Sequence, residues 1–268
     1  MSVTFEIHDA VALITLDRPQ ALNALDLDSL QALRGHLLQV RDRRDLRAAV
    51  ITGSGERAFC VGADLKSTRE SSASYAEALF LADDAAADAG LYIRLMDLTD
   101  LDLHKPLIAA VNGHCLGGGL ELALQCDLRI ASDSATFGLP EAVVGSIPAV
   151  SGLHRLMRAV PPAHALQMAL TGARIDAARA EHIGLISERL DTRQALLDRA
   201  LELAHLIARQ APLAIQALQT LARSTAHLSD REAQRLTELY WGVLRDTEDR
   251  IEGRQAFAEK RAPNYTGR

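Results

Sequence analysis

The sequence predicts an α/β core followed by a helical tail, and three observations carry that prediction. Short apolar stretches in the first half alternate with period two or run unbroken, as strands do. Helices or turns separate these strands, which favours mostly parallel pairing within an α/β unit. From about Pro161 the strands largely stop and helical periodicity takes over.

Val3 to Ile7 and Val11 to Leu16 alternate and are joined through His8-Asp9-Ala10, which reads as a hairpin. Asp26 is a good N-cap for a helix that places Leu27, Leu30, Leu33, Leu37 and Val40 on one face. Ala48 to Thr52 is a short buried strand closed by Gly53-Ser54-Gly55, and Leu107 to Val111 and Leu128 to Ala131 are two more. The stretch from Ser67 to Asp102, rich in Ala, Ser and Asp, reads as one long, partly exposed helix after a Ser-rich turn. Helical runs follow at 162–171, 176–182, 192–209, 212–226, 229–244 and 247–259, with Leu185 to Arg189 the one clear extended piece among them. Amphipathic tails of this kind often pack on another subunit.

A chain of 268 residues buries a core in one large domain or two small ones. Its formal net charge of −6, with no compensating basic stripe, argues against nucleic acid as the main partner. Cys60, Cys115 and Cys126 supply neither a disulfide framework nor a C-x-x-C pair. The start, Met1 to Glu6, lacks the basic and apolar regions of a signal peptide, and no apolar stretch approaches the roughly 20 residues of a membrane span. The expectation is a soluble, cytoplasmic protein. Only three of the 29 basic residues are lysines, Lys66, Lys105 and Lys260, so each lysine is worth a question.

After the strand Leu107 to Val111, Gly117-Gly118-Gly119 leads into Leu120-Glu121-Leu122-Ala123. Three glycines bring backbone close to a ligand, and the free N–H groups of a helix start form a donor site for a developing oxyanion or a phosphate. The plainer reading, a tight turn with an acid favourably placed in the first helical turn, stands equal to it on the turn alone. Neither a G-x-x-x-x-G-K-[S/T] loop, a G-x-G-x-x-G turn nor a G-x-S-x-G elbow is present. Glu141 lies in the otherwise apolar run Phe137 to Gly145. Burial there raises a carboxyl pKa toward the range useful for proton transfer, although a solvated or capping Glu after Pro140 is the commoner occurrence. His114 beside Cys115 has no second ligand pair at zinc spacing, so no metal site is expected.

Taken together, Ala109 to Gly113, Gly117 to Ala123, Cys126-Asp127, Ala58 to Lys66 and Phe137 to Glu141 resemble the signature of the crotonase (enoyl-CoA hydratase/isomerase) superfamily. Arg18 to Leu25, Leu170 to Gly172 and Ala256 to Arg261 extend the similarity, in order, over nearly the full length. The resemblance implies a spiral of ββα units over residues 1–195 and a C-terminal helical region, 196–268, for trimerisation and contact with CoA. It implies a homotrimer or dimer of trimers, no bound cofactor, and an acyl-CoA thioester as substrate. The thioester carbonyl is then polarised by the N–H groups of Ala63 and Gly118, and Glu121 and Glu141 flank a water as in hydratases. CoA contacts carry over to Ala21, Leu22, Ala24, Val61, Asp64, Leu65, Lys66 and Gly117, with Phe257 and Lys260 commonly from a neighbouring subunit.

Retention of both acids favours an enoyl-CoA hydratase over an isomerase, which needs only the Glu141 position. Decarboxylation, aryl-enoyl-CoA hydration with cleavage, and a non-catalytic acyl-CoA-binding scaffold are the alternatives. The sequence departs from hydratases where they carry a glycine-rich loop, here Pro148-Ala149-Val150-Ser151-Gly152. Added side chains there narrow the acyl site and threaten a backbone N–H that holds the water.

Overall fold

The computed structural model describes residues 2–66, 74–81, 85, 87 and 91–268. Strands β1 (Val3–His8) and β2 (Val11–Leu16) form the expected antiparallel hairpin. Strand β2 then pairs in parallel with β3 (Ala48–Gly53), β3 with β5 (Leu107–Val111), β5 with β7 (Leu128–Ser132), and β7 with β10 (Glu188–Leu190). A second sheet runs β4 (Ala58–Cys60), β6 (His114–Leu116), β8 (Thr136–Gly138) and β9 (Ile175–Asp176). Each long parallel strand is thus followed by a three-residue strand in the other sheet: β3 by β4, β5 by β6, β7 by β8. That repeat is the ββα spiral the resemblance implies.

The inner strands β2, β3 and β5 are buried on both faces, as parallel strands between layers must be. One face carries Ile14, Leu16, Ile51, Ala109 and Val111 against Leu30, Leu33, Leu37 and Val40 of helix α1 (Leu27–Asp42). Asp26 caps that helix by accepting the Ser29 N–H. The other face carries Val11, Leu13, Val50, Ile108 and Ile130. Against it lies a C-terminal helix, Arg193–Ala208, through Leu196, Ala200, Ala204 and Ala208, four residues apart on one stripe. The expected division between residues 195 and 196 therefore falls inside a helix that covers the sheet.

One long helix over 67–102 is not what the described residues form. They contain the short helix α2 (Tyr75–Leu79) and two separate 3-10 turns, Tyr92–Met96 and Thr99–Leu101. Asp97 is extended between the turns, and its side chain accepts the Thr99 N–H and hydroxyl, the local competition by which Asp ends a helix. The buried side chains of this stretch, Leu95, Met96, Leu98 and Leu101, pin it to the core turn by turn. The rest of that expectation lies outside the described residues.

Two buried asparagines lock the strand ends below the site. Asn23 Nδ2 donates to the Ser54 and Ala58 carbonyls at 3.0 and 2.7 Å. Asn112 Oδ1 accepts the Gly53 N–H, and its Nδ2 donates to the Gly55 carbonyl at 2.8 Å. These bonds fix where β4 starts, and β4 leads directly to Ala63.

Candidate active site

Helix α3 (Gly118–Ala123) starts at Gly117, whose φ of 54° and ψ of −130° suit glycine. Gly62, φ 94°, faces it across the gap between β4 and β6. A Cβ on Gly62 would stand 2.8 Å from the Gly118 nitrogen, and one on Gly118 would overlap the Met96 methyl. Glycine at both positions is what lets the backbone at Ala63 and Gly118 come together. As the first residue of its helix, Gly118 has no intrahelical acceptor for its N–H. Ala63, next to Gly62, therefore lies close to Gly118.

The segment carrying Ala63 is tied to the chain before α1. The Leu25 N–H donates to Gly62, and the Asp64 N–H donates to Leu25, at 2.8 and 2.9 Å. Arg18 binds the Ala24 carbonyl at 2.7 Å and the Asp64 carboxylate at 2.8 Å, and also reaches Asp26. Ala24 and Leu25 are in this way held beside Gly62 and Asp64. Arg18 was missed as a positioning residue; its signal was only its place at the head of the Arg18 to Leu25 motif. Lys66 and Leu65 are exposed at the edge of this cluster.

Glu121 projects from α3 and is only 2% exposed. Its Oε1 accepts the N–H groups of Val150 at 2.7 Å and Gly152 at 2.9 Å. The loop that departs from glycine-rich hydratase loops therefore keeps its amides, and directs two of them to Glu121 itself. Gly152 is required: a Cβ there would meet Glu121 Cγ at 2.6 Å. Burial pushes the Glu121 carboxyl above the ordinary carboxylate range, opposed by the two N–H donors and by Arg155, and reinforced by Glu141.

Glu141 opens a 3-10 turn, Glu141–Val144, directly after Pro140. A Cβ on Gly117 would lie 3.1 Å from Glu141 Oε1, so the carboxylate overhangs the turn from which α3 begins. Its Oε2 is buried and has no hydrogen-bond partner among the described residues. Burial raises its pKa too, its own N–H opposing. The two acids are near enough for Glu141 to act on Glu121, and burial biases each toward holding a proton. The exposed Val143, Val144 and Ile147 continue from Glu141.

Phe257 and Lys260, on the last helix (Glu248–Glu259) and its C-cap, do not join this cluster within one chain. Phe257 is 87% exposed and lines a separate cavity of about 490 Å³ with Leu213, Leu244 and Tyr265. His114 pairs with Thr136 at 2.8 Å. Among the described residues no three His, Cys, Asp or Glu side chains gather as metal ligands.

Ser151, between the two amides that hold Glu121, has a φ of 62°, where a side chain is strained. Ser151→Gly removes roughly 1–2 kcal/mol of left-handed strain and adds about 0.4–1 kcal/mol of unfolded-chain entropy. The variant is expected to be more stable by about 0.5–1 kcal/mol, a rise of roughly 1–4 °C in Tm by calorimetry. A fall in Tm would contradict the strain.

Comparisons with known proteins show the family and the fold. The family model described as Enoyl-CoA hydratase/isomerase matches residues 6–268. The chain is 43% identical over 267 residues to (E)-benzylidenesuccinyl-CoA hydratase of Thauera aromatica, covering all of both chains. It is 43% identical over 271 residues to carnitinyl-CoA dehydratase of Proteus mirabilis, covering 100% of this chain and 99% of that one. Among solved structures, the enoyl-CoA hydratase of Bacillus anthracis superposes with a TM-score of 0.88 at 33% identity over the full length of both chains.

Proposed function

The chain belongs to the enoyl-CoA hydratase/isomerase family, and from that premise we propose that it is a hydro-lyase interconverting a trans-2-enoyl-CoA and its 3-hydroxyacyl-CoA. The observation that carries this reading is the pair Glu121 and Glu141 about one glycine turn, both with raised pKa. An isomerase needs one such group; adding water needs a base for the water and an acid for carbon.

In the proposed reaction the thioester oxygen sits against the N–H groups of Ala63 and Gly118. Ionised Glu121 takes a proton from water as its oxygen bonds to the β-carbon. The double-bond electrons move onto the thioester oxygen, where the two amides stabilise the enolate; one such donor is worth about 3 kcal/mol. Protonated Glu141 then delivers its proton to the α-carbon, and the enolate electrons return to form that C–H bond. The proposed reaction starts with Glu121 ionised and Glu141 protonated, and the neighbouring Glu141 disfavours ionisation of both acids at once.

The names of the relatives point to acyl groups substituted beyond the double bond, so the substrate is proposed to be a CoA thioester of this broader class. CoA contact is assigned to the Ala21, Leu22, Ala24 and Val61 to Lys66 cluster together with Gly117. Phe257 and Lys260 are assigned to a neighbouring subunit's CoA. A trimer or dimer of trimers is supported by Leu239, Trp241 and Val243, all more than half exposed on helix Asp230–Arg245. Among the described residues no helix is long and apolar enough to cross a membrane.

Loss or gain of enoyl-thioester absorbance on straight-chain, β-branched, aryl and carboxylate-bearing CoA thioesters tests the reading. No turnover in either direction on any of them would sink it. The pH dependence is a second check. Glu121 must be ionised to take the proton, so kcat/KM is expected to fall on the acid side through a pKa above the usual carboxylate range. A profile from about pH 4 to about pH 9 reads this, and an acid limb at or below the ordinary glutamate value would contradict it.

A further inference from the structure

Helix Gly152–Ala159 begins in the turn that holds Glu121 and places three of its side chains, His154, Arg155 and Arg158, on a cavity of about 480 Å³. Ser151, Arg129 and Asp97 also line this cavity, whereas Ala63, Gly118 and Glu141 do not. Among the described residues Arg129 donates to two carbonyls, Nε to Leu185 at 2.8 Å and Nη1 to Cys126 at 3.0 Å. Arg155 Nε is buried and has no hydrogen-bond partner among the described residues. Among the described residues Arg158 meets His154, at 3.4 Å. The one acid on the cavity wall, Asp97, is engaged by the Thr99 N–H and hydroxyl.

Three guanidinium groups on one cavity repel each other, and those of Arg129 and Arg155, partly withdrawn from water, make no ion pair there among the described residues. Next to it, a cavity of about 510 Å³ shares Arg155 and Arg158; its further arginine, Arg223, is already paired with Asp127 at 3.0 Å. None of Arg129, Arg155 and Arg158 therefore forms an ion pair among the described residues; Glu121 acts on Arg155 and Asp127 on Arg129 from beyond contact, and three arginines against Asp97 leave the cavity wall net positive. A tetrahedral oxyanion accepting forked N–H donors relieves both problems at once. We propose that this cavity is a binding site for a phosphate-type dianion, separate from the reaction centre and joined to it by Ser151, whose neighbours Val150 and Gly152 hold Glu121. The proposal does not rest on the reaction assigned above.

Calorimetric titration with inorganic phosphate at fixed ionic strength tests it on the wild type and on Arg158→Gln, Arg155→Gln and Lys66→Gln. Saturable binding of one phosphate per chain is expected. Arg158→Gln and Arg155→Gln are each expected to weaken it roughly tenfold or more, the value of a lost charged hydrogen bond. Lys66→Gln is expected to leave it unchanged. Arg158 is exposed, so its variant reads the site even if Arg155→Gln fails to fold. Absence of saturable binding, equal affinity in Arg158→Gln and wild type, or loss in Lys66→Gln alone would each overturn the proposal.

Discussion

Glu121→Gln is expected to lower kcat roughly 10²–10⁴-fold, the value of a positioned acid–base group, while the protein remains folded. Glutamine keeps the shape of the side chain and an oxygen that accepts the Val150 and Gly152 N–H groups, so the turn at Ser151 is retained. What disappears is the negative charge that takes a proton from water. The same substitution is expected to raise stability at neutral pH. The Glu121 carboxyl is raised in the folded state, so its favourable contribution is complete below the unfolded pKa and is lost as pH rises through the folded one. Glutamine does not titrate. The Tm advantage of the variant should therefore vanish near the unfolded glutamate pKa and grow toward neutrality. Turnover within threefold of wild type would remove Glu121 from the chemistry. A Tm advantage independent of pH would remove the burial argument.

Much of this site was legible because its signals are chemical types at fixed spacings. The glycine turn, Glu121 and Glu141 stand out in apolar runs, and the structure brings them together. The long strands and the helices after Pro161 were legible from periodicity, since each spans several repeats of its pattern. Strands β4, β6 and β8 were not, because three residues cannot display an alternation. The helix Gly152–Ala159 was also missed, since Gly152 opens it and Ser151 precedes it in a left-handed conformation. The donors to Glu121 were invisible for a different reason: they are backbone amides, and nothing in Val150 as a residue type announces where its N–H points. Asn23 and Asn112 lay within the recognised motifs, but their roles depend on carbonyls over thirty residues away in sequence. Among the described residues of the Ser67 to Asp102 stretch, the Asp97 side chain satisfies a local N–H group between two separate short turns, which the helical reading did not anticipate.

Gly119→Ala is expected to be the most damaging added methyl among the described glycines. Gly119 is the second residue of α3, and a Cβ there would fall within van der Waals overlap of the Cys60 carbonyl oxygen. It would also stand 2.6 Å from the Cys60 carbonyl carbon and 2.9 Å from the Cys60 Cβ. These atoms belong to β4 and are wholly buried, so no flexible side chain can yield. The helix and the strand must separate, at an expected cost of about 3 kcal/mol or more and a Tm lower by roughly 6–12 °C. That separation acts on the site directly, because β4 leads to Ala63 and α3 starts at Gly118. In the proposed mechanism it costs a donor to the thioester oxygen, so kcat/KM is expected to fall a further 10²–10³-fold, roughly, in whatever fraction remains folded. Gly35→Ala supplies the contrast. Gly35 lies inside α1, and a Cβ there meets nothing within 4 Å. The same added methyl should stabilise the protein by about 0.8–1.0 kcal/mol through helix propensity and leave kcat/KM unchanged. Opposite signs from one chemical change locate the constraint in the contact between β4 and α3, not in glycine as such. Equal Tm for Gly119→Ala and wild type would show that this contact does not hold the two amides together.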